Sequence, residues 1–169
     1  FEKIAKKLNY PIVLKPRRGS GSRGIKVVTN IIDFEESFVE VKSKYGSPLI
    51  QQFIPHGGAC GTEMLFSNEG LAASFSHYRI REYPSSGGPS TFRRPIKSKL
   101  LDTISERILE EVGWYGPAMV EFRIDSRTNL PMLMEVNGRY WGSLDCSIQA
   151  GIDFPAYHFK ISNNQKFTK

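Results

Sequence analysis

The chain has 169 residues, 40% hydrophobic and 24% charged, which excludes general disorder and allows one large domain or two small ones. Its formal charge of +6 fits a polyanionic partner; the basic residues are dispersed, which favours nucleotide phosphates over nucleic acid. No apolar run approaches the roughly 18 residues of a membrane span. Cys60 and Cys146 lie far apart without a CxxC pair, excluding a disulfide scaffold and a cysteine-rich zinc module. The expectation is a soluble, cytoplasmic protein with no membrane partner. Phe1 opens inside an apparent helix without a methionine, which reads as a piece of a longer chain.

Residues 1–9 place Ile4, Ala5 and Leu8 at helical spacing, with Asn9 as a C-cap. Tyr10–Lys15 reads as a strand kept extended by Pro16, followed by a glycine- and serine-rich loop over Arg17–Gly24 and a strand over Ile25–Thr29. Asp33 is expected to cap a helix reaching about Tyr45, with Glu36 completing a capping box; Gly46 and Pro48 end it. Leu49–Ile54 reads as a strand. Thr62–Phe66 and Leu71–Tyr78 flank Ser67-Asn68-Glu69-Gly70 as a hairpin. Residues 84–95, rich in Pro, Ser and Gly, predict a long loop. A helix over about 98–112, strands over 117–125 and 131–137, and a helix from near Phe154 complete the order. The fold class is α+β, in two lobes joined near Gln51–Ile54: a small lobe over residues 1–50 and a larger one over 51–169.

Gly19-Ser20-Gly21-Ser22-Arg23-Gly24 matches GxGxxG, but a β-branched strand follows where a dinucleotide-binding loop requires a helix. The ending Gly24-Ile25-Lys26 also fails the Walker A pattern. What is left is a loop between two strands, either a long flexible hairpin or a flap laid over phosphates. Lys15, at the end of the preceding strand, favours the flap.

Along one later strand Val120, Phe122 and Ile124 alternate with Glu121, Arg123 and Asp125; along the next, Met132, Met134 and Val136 alternate with Leu133, Glu135 and Asn137. A hairpin centred on Thr128 pairs Val120 with Val136, Phe122 with Met134 and Ile124 with Met132, as one apolar face. The same register sets Glu121 opposite Glu135, with Asn137 two residues along. Like charges directly opposed destabilise a sheet. Either a cation sits between them or the carboxylates pair with Arg123 and other basic neighbours. Two carboxylates and an amide suit Mg²⁺, and Arg139 follows close enough to act on the same phosphate.

His77, Arg79 and Arg81 alternate toward the long loop and are expected to project to one side; with Arg93 and Arg94 they suit a carboxylate or acyl phosphate, or form a basic solvated edge. His56 and His158 read as structural, Cys60 as a free thiol in the loop Gly57–Gly61, and Trp114, Tyr115, Tyr140 and Trp141 as packing residues.

YPIVLKP, the glycine-serine flap, LIQQFI, Glu121 and then MEVNGRYWGS, in that order, resemble the ATP-grasp superfamily, nearest its carbamoyl-phosphate-synthase-like branch, over almost the whole chain. The resemblance implies a nucleotide cleft between two lobes with mainly antiparallel sheets. It also implies a ligase that phosphorylates a small carboxylate to an acyl phosphate, which an amine or other nucleophile then attacks. By position, Lys15 contacts the nucleotide and Gly19, Ser20, Gly21, Ser22 and Gly24 cover its phosphates. Backbone groups of Gln51, Gln52, Phe53 and Ile54 read the adenine. Glu121, Glu135 and Asn137 hold Mg²⁺ or Mn²⁺, and Arg139 and Arg79 serve the transferring phosphoryl group and the acid. Such proteins also carry an N-terminal domain preceding this region, so the segment alone is not expected to turn over. Gln51 and Gly58 stand where the family has glutamates, the second for the ribose, and Glu63 is the nearest substitute. A non-catalytic nucleotide-binding module of the same fold is the alternative.

Overall fold

Short β-branched runs punctuated by glycine and proline build two separate sheets. The computed structural model describes residues 2–19, 22–83 and 88–165. The chain divides into two units, Phe1–Ile54 and Pro55–Lys169.

The first unit contains α1 (Glu2–Ala5), β1 (Ile12–Lys15), β2 (Lys26–Val28), α2 (Phe34–Tyr45) and β3 (Leu49–Gln52). Its antiparallel sheet has the order β2-β1-β3. Ile12 and Leu14 alternate inward from β1 and meet Val28, Phe34 and Val41. Because β3 pairs with β1, Gln51 and Gln52 belong to this unit, and the division falls a few residues beyond the expected one.

Two local expectations are corrected. The first helix ends at Ala5, short of the Asn9 cap. The Asp33–Glu36 capping box does not form, because Asp33 adopts helical backbone and its carboxylate accepts from Asn30 Nδ2 at 2.8 Å. Asn30 organises the entrance instead: its Oδ1 accepts from the Ile32 and Asp33 amides at 2.9 and 3.1 Å.

The second unit contains β4 (His56–Ser67), β5 (Gly70–Glu82), β6 (Ser90–Ile96), α3 (Lys99–Glu111), β7 (Gly116–Asp125), β8 (Pro131–Asn137), α4 (Leu144–Gln149) and α5 (Phe154–Ser162). The antiparallel sheet has the order β6-β5-β4-β7-β8. One face (Cys60, Met64, Phe66, Val120, Phe122) packs on Leu101 and Leu109 of α3. On the other face Leu65, Phe75 and Met119 pack with Trp141 and with Phe154 of α5.

Two sequence expectations fail here. Gly57–Gly61 is strand, not loop, since β4 begins at His56. The second half of the expected 84–95 loop is β6; residues 84–87 lie outside the described set. Pro95 is tolerated because β6 is an edge strand, where a missing N–H need not break the ladder. The helix α4 has no counterpart in the pattern reading.

Candidate functional site

The site begins with an uncrowded row across the larger sheet. His77 on β5, Gly61 on β4, Glu121 on β7 and Glu135 on β8 lie side by side. Gly61 contributes no side chain, and a Cβ there would stand 2.8 Å from the His77 ring. Two residues back along β4 on the same face, Ala59 carries only a methyl and pairs with Arg79. Across this low stretch the Arg79 guanidinium reaches over β4 to Glu121: Nη2 lies 2.6 Å from Oε2.

Glu121 faces Glu135 as the alternation predicts. Val120 also meets Val136 as expected, but toward the turn the pairs differ: Phe122 meets Leu133 and Ile124 meets Pro131, so Met134 and Met132 are displaced from their expected partners. The turn is one residue out of the expected register, and a bulge between Glu121 and Phe122 restores it. On the apolar face expected along β8, Met132 and Met134 are half-buried and Val136 is 39% exposed.

Asn137 joins the carboxylates. Its Nδ2 lies 3.3 Å from Glu121 Oε1 and 3.2 Å from Glu135 Oε1, while its Oδ1 accepts from Arg139 Nη2 at 3.1 Å. Arg139 Nη1 also donates to the Tyr140 carbonyl at 2.9 Å. Burial pushes the Glu121 carboxyl above its usual range, Arg79 opposes that rise, and the Glu135 charge adds to it. Among the described residues no three His, Cys, Asp or Glu side chains converge as a metal cage. A cation here must take amide oxygen, water or phosphate besides the two carboxylates. That donor set fits Mg²⁺, with the oxygen end of Asn137 turned inward.

The expectation that His77, Arg79 and Arg81 project to one side is corrected at Arg81. Arg79 pairs with Arg93 and Arg81 with Phe92, leaving Ile80 out of the pairing. Adjacent residues of a strand point to opposite faces, so the bulge sends Arg81 to the face opposite Arg79. Arg81 stacks over Phe92 at 5.9 Å and Arg94 over Tyr78 at 5.6 Å. Arg81, Arg94, Tyr78 and His56 line a cavity of about 860 Å³ that extends to Arg79.

Glu63 is not a ribose ligand. Its carboxylate is fully buried, accepts the Ser143 hydroxyl at 2.7 Å and lies 3.1 Å from His77 Nδ1. Nor can Gly58 carry the missing glutamate: any Cβ there collides with the Tyr78 hydroxyl and would stand 2.8 Å from its Cζ. Cys60 is buried, and its thiol is pushed up to about 11 by that burial, which makes it inert. His158 bonds the Tyr140 hydroxyl at 3.0 Å, a packing role.

In the first unit, Lys15 ends β1 opposite Leu49. Gly19, Ser22 and Gly24 lie in the β1–β2 connection; Ser20 and Gly21 fall outside the described residues. Gly24 is required for two reasons: its φ is +75°, and a Cβ would press on Tyr45 and Pro16. Beyond Gln51 and Gln52 of β3, Phe53 donates its N–H to the Pro11 carbonyl at 3.4 Å, with Ile54 next. By alternation the Gln52 backbone faces the open edge.

A family profile described as the ATP-grasp domain matches residues 2–143. Among curated relatives, the chain is 25% identical over 151 residues to the alpha subunit of a mitochondrial methylcrotonoyl-CoA carboxylase from Arabidopsis thaliana, covering 80% of this chain and 20% of that one. It is 24% identical over 153 residues to the 2-oxoglutarate carboxylase small subunit of Hydrogenobacter thermophilus, covering 82% and 31%. The chain thus spans under a third of either relative.

Among solved structures, the biotin carboxylase domain of that 2-oxoglutarate carboxylase, with MgADP, ADP and bicarbonate, superposes with a TM-score of 0.75 at 19% identity, over 99% of this chain and 40% of that one. A Rhizobium etli pyruvate carboxylase with acetyl coenzyme A gives 0.81 at 20% identity, over 100% and 16%. With a profile match across most of its length and the same α+β architecture, the chain belongs to the ATP-grasp domain family.

Proposed function

We propose that this chain is the ATP- and metal-binding portion of a soluble, cytoplasmic ligase that activates a small carboxylate with ATP. The γ-phosphoryl group passes to a carboxylate oxygen, giving ADP and an acyl phosphate, and a nucleophile then displaces phosphate. The observation that carries this reading is the pair of buried Glu121 and half-buried Glu135, opposed in register and joined through Asn137 beside Arg79 and Arg139. Glu121, Glu135 and Asn137 would hold Mg²⁺ or Mn²⁺, which neutralises the phosphates and the opposed carboxylates when bound.

Arg139 would stabilise charge on the transferring phosphoryl group, and Arg79, with Arg93 behind it, would receive the acid. Lys15 and the glycine-rich connection would serve the phosphates, and the backbone of Gln51–Ile54, foremost Gln52, the adenine edge. A carboxylase relative that holds MgADP and bicarbonate makes bicarbonate one acid to test, alongside the acids of carbamoyl-phosphate-synthase-like ligases.

One observation favours a second reading, a non-catalytic nucleotide-binding module. The position expected to carry a ribose carboxylate is Gly58, and Tyr78 occupies the space a side chain would need.

Calorimetric titration with ADP and a non-hydrolysable ATP analogue, with and without Mg²⁺, tests the site. Magnesium-dependent binding that Glu135→Ala abolishes in a folded protein is expected. MgADP affinity unchanged by that substitution would refute the metal assignment. Turnover of the full-length protein with ATP and bicarbonate separates the ligase from the binding module.

A further inference from the structure

Glu63 is the most deeply buried carboxylate on the site's face of the sheet and no proposed chemical step uses it. It sits at the middle of β4, paired with Phe75 on β5 and Met119 on β7, and is 0% exposed. A carboxylate so placed costs several kcal/mol unless its partners hold it. Its partners come from the neighbouring strand and from a connection 80 residues along the chain. Oε1 accepts the Ser143 hydroxyl at 2.7 Å, and His77 Nδ1 stands 3.1 Å away without the alignment of a hydrogen bond. Oε2 has no hydrogen-bond partner among the described residues. An apolar residue would fill this place at less cost.

Ser143 closes the connection from β8 to α4, the stretch Gly138–Ser143 that carries Arg139. A second tether grips the same stretch from the opposite edge of the sheet. Arg93 on β6 donates through Nη1 to the Gly142 carbonyl at 3.4 Å and pairs through Nη2 with Asp145 at 3.2 Å. At its other end Gly138 lies under the Trp114 ring, where a Cβ would stand 2.8 Å from Cζ2. The connection is therefore fixed at both ends, with Arg139 between the fixed points.

We propose that Glu63, acting through Ser143, is a positioning residue for Arg139. The buried carboxylate anchors the connection from beneath, and the anchor sets where the guanidinium stands relative to Asn137 and the opposed carboxylates. This rests on the reading of Arg139 as the phosphoryl-stabilising group, although the anchoring itself does not depend on it.

Two measurements keep those levels apart. The first is the steady-state ¹H–¹⁵N NOE of the Arg139 Nε–H group in this chain, in wild type and in Ser143→Ala and Glu63→Gln. Ser143→Ala deletes one hydroxyl and is the variant expected to fold normally. A lower NOE at Arg139 in Ser143→Ala, with the Arg123 Nε–H unchanged, is the expected result; an unchanged Arg139 NOE overturns the anchor. The second is ADP release by the full-length protein, with MgATP and bicarbonate as the probe.

Ser143→Ala should lower kcat about tenfold and leave the KM for MgATP within about twofold, as displacement of one transition-state group does. Added to Arg139→Ala it should cost nothing further, because the group it positions is gone. Full additivity of the two losses, or a change confined to KM, overturns the positioning role. If wild type releases no ADP, the ligase reading falls, and the NOE still decides the anchor.

Discussion

Replacing Arg79 with methionine removes the cation from a carboxylate that the fold has already taken out of water. Arg79 and Glu121 keep side-chain exposures of only 10% and 8%, at a separation of 2.6 Å. Breaking a buried pair by deleting one partner costs about 3–5 kcal/mol, and the remaining exposure points to the lower end, about 3 kcal/mol. Both tryptophans, Trp114 and Trp141, lie in the second unit, so their fluorescence follows its unfolding. With a urea slope of about 2 kcal/mol/M, the midpoint should fall by about 1.5 M.

The loss should also depend on pH. Burial and Glu135 already raise the Glu121 carboxyl, and removing Arg79 removes the opposing influence. A raised carboxyl contributes stability below its unfolded value, and that contribution is lost as pH rises through the folded value. The Arg79→Met penalty should therefore be smallest in acid, where Glu121 takes up a proton, and grow toward neutrality. Glu121→Gln should absorb most of it, with a coupling above about 1 kcal/mol in the double-mutant cycle. A penalty below about 1 kcal/mol at neutral pH, or one unchanged in the Glu121→Gln background, would refute the argument that this pair is buried and mutually dependent.

In the parent protein Glu121→Gln should remove a downward trend of urea midpoint with rising pH, so the gap between variant and wild type should widen above the carboxylate range; a constant gap would contradict the raised carboxyl. Gly138→Ala forces a methyl into the Trp114 ring, an overpacking that should cost about 1–3 kcal/mol and shift the tryptophan emission; unaltered emission and stability would place the ring elsewhere. Iodoacetamide at mildly alkaline pH should label the half-buried Cys146 well before Cys60, whose burial holds its thiol at about 11. Equal rates, read by mass spectrometry, would mean that β4 opens far more readily than its packing implies.

The opposed carboxylates were legible in the sequence because alternation along a strand has a period of two, and two alternating strands joined by a short turn admit few registers. The agreement at Glu121–Glu135 nevertheless depends on two deviations that offset each other, a turn one residue out and a bulge that restores the pairing. On β5 the shift that skips Ile80 is cancelled only beyond Arg81, by a second shift before Glu82, so Arg81 itself turns away from Arg79. Bulges depend on how neighbouring strands twist and pack, which no local window contains. β6 was hidden for a related reason: Pro95 and the adjoining Pro, Ser and Gly read as loop, and only its place at a sheet edge makes a strand of it.

Residue types, alternation and the order of elements by themselves determined an α+β chain with a glycine-rich hairpin and two facing acidic strands, since each is a pattern among near neighbours. Tertiary structure alone decided that Arg79 crosses β4 to reach Glu121, that Tyr78 fills the space beside Gly58, and that Glu63 takes the hydroxyl of Ser143, 80 residues away. Those contacts join residues distant along the chain, and their cost or benefit exists only once the sheet has removed them from water.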